Sequence, residues 1–426
     1  MSTVHGQDSA SLQTWLKRIE GLHPVGIDMG LTRVAAVAQR MAIKFACPVI
    51  TVGGTNGKGS TCAMLESIYG AAGYKVALHT SPHLWRFAER ARFCQQMADN
   101  DALIAAFEQI EAARGDITLT YFEFTLLAIL WWFMQQAPDV VILEVGLGGR
   151  LDAVNVIDAD VSIVTSIDLD HTQYLGPTRE HIGWEKAHIF RANRPAICAD
   201  PVPPQRLIDY AEEIGADLWL FGRDFNYSGD RQQWNFAARG HKRHALPYPA
   251  LRGANQLLNA SAALAAIHAL SDRLPVAQGA VRTGLLTVEL PGRFQVLPGR
   301  PSVILDVAHN PQAAGVLAQN LDGIGFSPVT VAVFGAMADK DIAGVVARLM
   351  DRIDHWLLTD LPTPRAASAM QLQEILAQTG IQAGANRHVE CFSDPASALA
   401  KARELTGEND RIVVFGSFYT VAGAMP

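Results

Sequence analysis

The chain reads CPVITVGGTNGKGSTCAML over residues 47–65, and its centre, TVGGTNGKGST at 51–61, decides the fold. The β-branched apolar run at 47–52 predicts a buried strand, and STCAMLESIYGAAG (60–73) predicts a helix that ends on glycine. Between them, four glycines fall within the seven residues 53–59. A glycine-rich loop between a strand and a helix turns several backbone N–H groups toward one point, where the helix N-terminus adds positive potential. The expectation is a phosphate cradle: Asn56, Gly57, Lys58, Gly59 and Ser60 around a nucleotide, Lys58 on the outer phosphates, and Ser60 or Thr61 on magnesium. The spacing departs from GxxxxGK[ST], because Val52 stands at the first glycine position and Gly59 separates Lys58 from Ser60.

Outward from this loop, strands and helices alternate. YKVALHTS (74–81), DVVILEVG (139–146), ADVSIVTSI (159–167) and RPAICA (194–199) read as further strands. Helical patterns lie in SLQTWLKRIEGL, NDALIAAFEQIEAARG and YFEFTLLAILWWFMQQ. Such alternation predicts an α/β fold, an open and mostly parallel sheet covered on both faces. Residues 223–250 read as short strands and turns, and NQLLNASAALAAIHAL (255–270) as a helix. ELPGRFQVLPGRP, near 290, reads as a linker. SVILDVA, VTVAVFGAM, HWLLTDLP and DRIVVFGSF then restart the alternation. The expected domains are 1–290, a P-loop nucleotide-binding domain, and 291–426, a smaller α/β domain of Rossmann-like type.

The 426 residues carry a net charge of -7, which argues against a broad basic face for nucleic acid. The five cysteines, at 47, 62, 94, 198 and 391, form no CxxC pair, so neither a disulfide framework nor a thiolate zinc site is expected. MSTVHGQDSA lacks a basic region followed by an apolar core, and FTLLAILWWFM (124–134) falls short of the ~20 residues that span a bilayer. A cytoplasmic protein with no membrane partner is expected, as a monomer.

GTNGKGS, together with TSPHL (80–84), LEVGLGGRLDAVN (143–155), SIDLDHTQYLG (166–176), GWEKAHIF (183–190) and DVAHNP (306–311), resembles the folylpolyglutamate synthase/dihydrofolate synthase family over nearly the whole chain. The wider superfamily includes the ligases that add amino acids to the bacterial cell-wall precursor. LDAVN and DVAHNP point to the folate branch.

Read without the family, Glu144 is a strand-end acid at the sheet edge where nucleotide crevices form, suited to magnesium or simply to solvent. His171, with Asp168 and Asp170 beside it, is a weaker ligand signal, since magnesium prefers oxygen. Ser81, before Pro82, reads as a helix cap, and Lys186 as an ordinary lysine near a helix. The resemblance implies more. Ser60, Ser81 and Glu144 join the metal shell, His171 serves a second magnesium, and Lys186 is carbamylated to help organise it. Asp28, Tyr121, Phe122, Glu123 and Asp152 become pterin-side residues. Asn259 approaches the adenine. By its place at the linker, Arg293 is suited to neutralise phosphate charge, and Asp306, at a strand end of the second domain, to touch the nucleotide. His188 stands where the family commonly has glycine, and Asn255 where many relatives have histidine. His309 reads as a residue of an interdomain cleft or as an ordinary helix-start histidine.

The implied activity uses ATP and two Mg²⁺. A carboxylate becomes an acyl phosphate, and the amine of L-glutamate displaces the phosphate. Lys58, Arg293, His171 and Lys186 serve catalysis. The products are dihydrofolate, from 7,8-dihydropteroate, and lengthened polyglutamate tails on reduced folates. The alternatives are an enzyme with only one of these activities, a cell-wall ligase, and a nucleotide-controlled interaction protein.

Overall fold

The computed structural model describes residues 8–230, 232–384 and 387–425. Residues 1–7, on which the reading of the leader partly fell, lie outside them. Two compact units emerge. One takes the chain up to Ala250 together with Leu257–Val288, and the other takes Leu251–Gln256 and the chain from Glu289 on. The chain therefore passes between units three times, where one break after 290 was expected. The short segment 251–256 contributes to the second unit through the Ala254 N–H, which donates to Asn320 Oδ1 at 2.9 Å.

The first unit is built on an eight-stranded sheet: β1 (Val49–Gly53), β2 (Val76–His79), β3 (Ala91–Phe93), β4 (Gln96–Met97), β5 (Val140–Glu144), β6 (Val161–Val164), β7 (Pro195–Cys198) and β8 (Asp217–Leu220). Their order is β4-β3-β2-β5-β1-β6-β7-β8. β2, β5, β1, β6, β7 and β8 run parallel, and β3 and β4 form an antiparallel edge. β1 and β5 are buried at every residue. Burial on both faces explains why they read as unbroken apolar runs instead of alternating ones. β1 sits between β5 and β6, so three strand ends converge around the glycine loop.

Helix Lys58–Ala71 leaves β1 and packs against helix Gln278–Thr287. Gly284 makes that approach possible, because a Cβ there would lie 2.5 Å from the Ile68 Cα. The apolar run at 124–134 lies inside helix Tyr121–Gln136, whose start is fixed by reciprocal capping between Thr120 and Glu123. Phe124, Leu126, Leu127, Ile129 and Leu130 are fully buried, so the helix is core. Among the described residues no helix is long and apolar enough to cross a membrane. Residues 223–250 form the expected short strands, β9 (Phe225–Gly229), β10 (Trp234–Ala238) and β11 (His241–Leu246), in an antiparallel sheet.

No helix starts at Pro82, against the capping alternative for Ser81. A 3₁₀ turn follows instead, at Phe87–Arg90. The Glu89 carboxylate accepts the backbone N–H groups of Leu84, Trp85 and Arg86, each at 2.7 Å. These donors are satisfied locally without helical pairing.

The second unit carries a six-stranded sheet of β12 (Gln295–Leu297), β13 (Ser302–Asp306), β14 (Thr330–Phe334), β15 (His355–Thr359), β16 (Val389–Phe392) and β17 (Arg411–Phe415). The order is β12-β13-β17-β14-β15-β16, parallel except for β12. Phe334, Trp356 and Phe415 stack into the centre of its core.

Candidate active site

The glycine loop is shaped by close contacts that only glycine tolerates. Gly54 has φ +142°, and a Cβ there would meet Thr165 Oγ1 at 1.8 Å. Gly57 caps helix Lys58–Ala71 in the left-handed region (φ 89°), and its Cβ would meet Asn259 Oδ1 at 2.4 Å. The segment after β6 holds the loop from one side. The Thr55 N–H donates to Ser166 O (2.6 Å), and the hydroxyls of Thr165 and Ser166 donate to Asn56 O (2.7 and 3.1 Å). Asn259, buried on helix Gln256–Ala269, thus stands against the loop, as do Thr165 and Ser166, which sequence reasoning missed. They are ordinary strand-end residues in the sequence and acquire meaning only from the β1–β6 register.

Two lysine amines converge here. Lys58 Nζ donates to Gly54 O and Thr55 O (3.1 and 3.2 Å), and Lys186 Nζ donates to the same Gly54 O at 2.9 Å. Lys186 is buried, and burial together with the nearby Lys58 charge lowers its pKa to about 7; Asp170, Asp152 and Glu185 pull the other way. An apolar setting favours the neutral amine. The Thr61 hydroxyl, in the first turn of the helix, is buried without a hydrogen-bond partner among the described residues. Two lysine amines on one carbonyl, one of them the Lys58 cation, with an orphaned hydroxyl and a helix N-terminus, suit a polyanion.

Glu144, at the end of β5, is buried, and its Oε2 accepts the Ser81 N–H at 3.0 Å. Those two expected metal residues are therefore neighbours. Ser60 lies buried in the helix that leaves the loop. His171 follows β6, on the other side of β1, with its Nε2 3.9 Å from Asp170 Oδ1. Among the described residues no three His, Cys, Asp or Glu side chains gather as a metal cluster. An oxygen-poor site of one carboxylate and hydroxyls still fits magnesium, which keeps several waters and takes phosphate oxygens.

A cavity of ≈ 200 Å³ adjoins this region, lined by Ile27, Asp28, Phe122, Glu123, Leu147 and Asp152 among others. It brings together four of the five expected pterin-side residues. Tyr121 is not in its lining. Its ring packs edge-on against Phe87 (6.4 Å) under the Arg90 guanidinium (5.6 Å). Helix geometry explains the split, since consecutive residues point about 100° apart. The Phe122 ring packs against Gly146, where a Cβ would come within 2.9 Å of its Cζ. Asp152 accepts the N–H groups of Leu147 (2.8 Å) and Val154 (2.9 Å), while burial raises its pKa to about 6. Sequence reasoning also missed Arg33. Its guanidinium joins Asp28 Oδ2 (2.6 Å) to both Glu123 oxygens (3.1 and 3.3 Å).

In the second unit, Asp306 ends β13 and accepts the N–H groups of Phe294 (2.9 Å) and Ala308 (2.8 Å). Burial raises its pKa against the opposing pull of Arg293. The Arg293 guanidinium sits 5.1 Å over the Phe418 ring. His309 Nδ1 donates to Val307 O at 2.9 Å, just before the helix Pro311–Gly323. Asn255 falls in the 251–256 segment of this unit.

Residues 52–267 match the family model of the Mur ligase middle domain, and residues 292–418 that of the Mur ligase glutamate ligase domain. The dihydrofolate synthase/folylpolyglutamate synthase of Escherichia coli is 46% identical over 98% of this chain and 96% of its own. That of Haemophilus influenzae is 37% identical over 99% and 98%. A solved structure of E. coli FolC in complex with DHPP and ADP superposes with a TM-score of 0.91 at 46% identity, covering 98% of this chain and 97% of that one. A bifunctional folylpolyglutamate synthase/dihydrofolate synthase with Mn, AMPPNP and L-glutamate bound gives a TM-score of 0.88 at 44% identity, over 98% of each chain. With matches that run from end to end and take in both Mur ligase domains, the chain belongs to the dihydrofolate synthase/folylpolyglutamate synthase family of the Mur ligase superfamily.

Proposed function

We infer that the protein is an ADP-forming ligase. It joins L-glutamate to 7,8-dihydropteroate, giving dihydrofolate, and adds further glutamates to reduced folates. Family membership over the whole chain carries this reading. The first unit supports it as a P-loop-type nucleotide domain, and the second as a Rossmann-like glutamate ligase domain. The cavity beside the glycine loop also favours retention of the pteroate reaction over a polyglutamate-only enzyme. It offers a flat aromatic face at Phe122 and hydrogen-bonding carboxylates at Asp28, Glu123 and Asp152.

The carboxylate of the pteroate, or of the growing tail, attacks the γ-phosphorus of ATP, and the bond to the β-phosphate oxygen breaks. ADP leaves and an acyl phosphate forms. The neutral amine of glutamate adds to the acyl carbon, phosphate departs with the electron pair of the C–O bond, and the nitrogen loses a proton. Lys58 exchanges its contacts with Gly54 O and Thr55 O for the β- and γ-phosphates and stabilises charge spread over the transferred group. The loop N–H groups orient the phosphates, with Asn259 on the adenine side. Arg293, beside the expected linker, and Asp306, at the end of β13, are assigned to the phosphates and the nucleotide from their places in the chain.

Ser60, Ser81 and Glu144 would hold one magnesium, with His171 and Lys186 serving a second. Bound magnesium neutralises phosphate charge. Lys186 serves as a carbamate: its Nζ lone pair bonds to the carbon of CO₂, a C=O electron pair moves to oxygen, and the nitrogen releases a proton. Its depressed pKa makes the reacting amine available near neutrality.

The test uses purified protein with ATP, Mg²⁺ and L-glutamate, offering either 7,8-dihydropteroate or a reduced folate, with ADP and product mass as readouts. ADP and a glutamate-mass gain are expected with both acceptors. Gain with the reduced folate alone would leave the monofunctional reading, and no gain with either would refute the function.

A further inference from the structure

The helix that carries Lys186, Arg179–Ala187, is wedged rather than merely packed. On one side its last turn presses on the LGGR loop. A Cβ on Gly149 would lie 2.8 Å from Glu185 O and 3.0 Å from Lys186 O, and the Arg150 N–H donates to Glu185 O at 2.9 Å. At Gly183 a Cβ would meet Pro204 at 2.8 Å, just before helix Gln205–Glu213. His188 closes the wedge at the C-cap. Its ring stacks on Tyr210 of helix Gln205–Glu213 (3.9 Å, 17°) and meets Trp184, one turn back, edge-on at 4.3 Å. Its Nδ1 lies 2.7 Å from Trp184 O. A carbonyl only accepts, so Nδ1 carries the proton and caps an end carbonyl of the helix. The His188 carbonyl in turn accepts from Asn155 Nδ2 (3.2 Å) and Arg191 Nη1 (3.1 Å).

We propose that His188 is a positioning residue for Lys186: its stack on Tyr210 and its bond to Trp184 O lock the helix end so that the lysine amine is held at the glycine loop. The proposal rests on the reading of Lys186 as the carbamate-bearing residue. His188 acts through the backbone that places Nζ at Gly54 O. A free helix end would let that amine sample positions away from the loop and lower the carbamate population at a given CO₂ concentration. Offset aromatic stacking is strong enough that its loss moves such an equilibrium by about fivefold.

The experiment records carbon-13 NMR of the full-length protein with ¹³C-bicarbonate, as a titration, for the wild type, His188→Ala, His188→Phe and Tyr210→Leu. The carbamate resonance of the wild type is expected to vanish in Lys186→Met. His188→Ala and Tyr210→Leu are expected to need about fivefold more bicarbonate for half occupancy, with His188→Phe falling between. At ambient CO₂, kcat should fall in the two weakened variants, with KM for ATP within about twofold, and added bicarbonate should restore it. Tyr210→Leu leaves the Lys186 helix untouched and carries the test should His188→Ala fail to fold. Equal titrations in folded variants and wild type would overturn the role of His188. A wild type with no Lys186 carbamate would overturn the reading of Lys186 itself, and this proposal with it.

Discussion

At the scale of single residues, Lys58 and Lys186 share a carbonyl yet differ in environment. Lys58→Ala is expected to remain folded and to lose at least about a hundredfold in kcat, because phosphoryl charge loses its cation in a shielded site. ADP release at the wild-type rate would sink that assignment. Lys186 also has a consequence for stability. Its folded pKa, about 7, lies below the unfolded model value of 10.5. Between those values the unfolded chain holds a proton that the folded chain lacks, so this group makes stability rise with pH across that window. Below it, both states are protonated and the cost of the buried charge is fully present, with an upper bound of roughly 5 kcal/mol. Lys186→Met should therefore raise Tm in bicarbonate-free buffer at pH 7, with the gain shrinking toward pH 10, while activity is lost. A Tm that drops at pH 7 would contradict the burial argument. The sequence made the type of Lys58 legible through its neighbours, whereas nothing local marks Lys186 as buried. Only the fold brings it to residue 54.

At the scale of elements, the strand–loop–helix unit was readable because its strand is buried on both faces and its loop is dense in glycine. Its rigidity was not, since that comes from Thr165, Ser166 and Asn259, more than a hundred residues away in the chain. Gly54→Ala should destabilise the protein by about 2 kcal/mol or more and abolish ATP binding, because both the φ of +142° and the Thr165 contact forbid a side chain. Denaturant unfolding and nucleotide titration check this, and an unperturbed variant would mean the loop is laxer than drawn. The cavity lining makes the complementary point. YFEF was legible as an aromatic stretch, but the helix turns Phe122 toward the cavity and Tyr121 away from it. Arg33 was overlooked because a lone arginine in a helix ordinarily faces solvent. Here it ties Asp28 to Glu123, so Arg33→Ala should raise KM for 7,8-dihydropteroate about tenfold while KM for ATP moves little. Equal KM values for the pteroate in variant and wild type would remove Arg33 from the site.

At the scale of the whole molecule, binding to the folded state alone must raise stability by mass action, so saturating ATP and Mg²⁺ should shift the melting transition upward in the wild type and little in Lys58→Ala. Calorimetry of both proteins decides it, and an equal shift would move the nucleotide elsewhere. Two α/β sheets were visible in the sequence, since apolar runs of strand length alternate with helical patterns. The 251–256 segment was not, because its assignment hangs on a hydrogen bond to Asn320, a contact distant along the chain. By itself the sequence determined what local chemistry dictates: buried strands, the glycine loop, the apolar helix at YFEFTLLAILWWFMQQ, and a motif series specific enough to place the family. The tertiary structure alone decided which of those residues meet. It set Lys186 against Gly54, Ser81 against Glu144, and Arg33 between two carboxylates. Backbone propensity acts over a few neighbours, whereas desolvation, close approach and charge pairing depend on distances that only the packed chain defines.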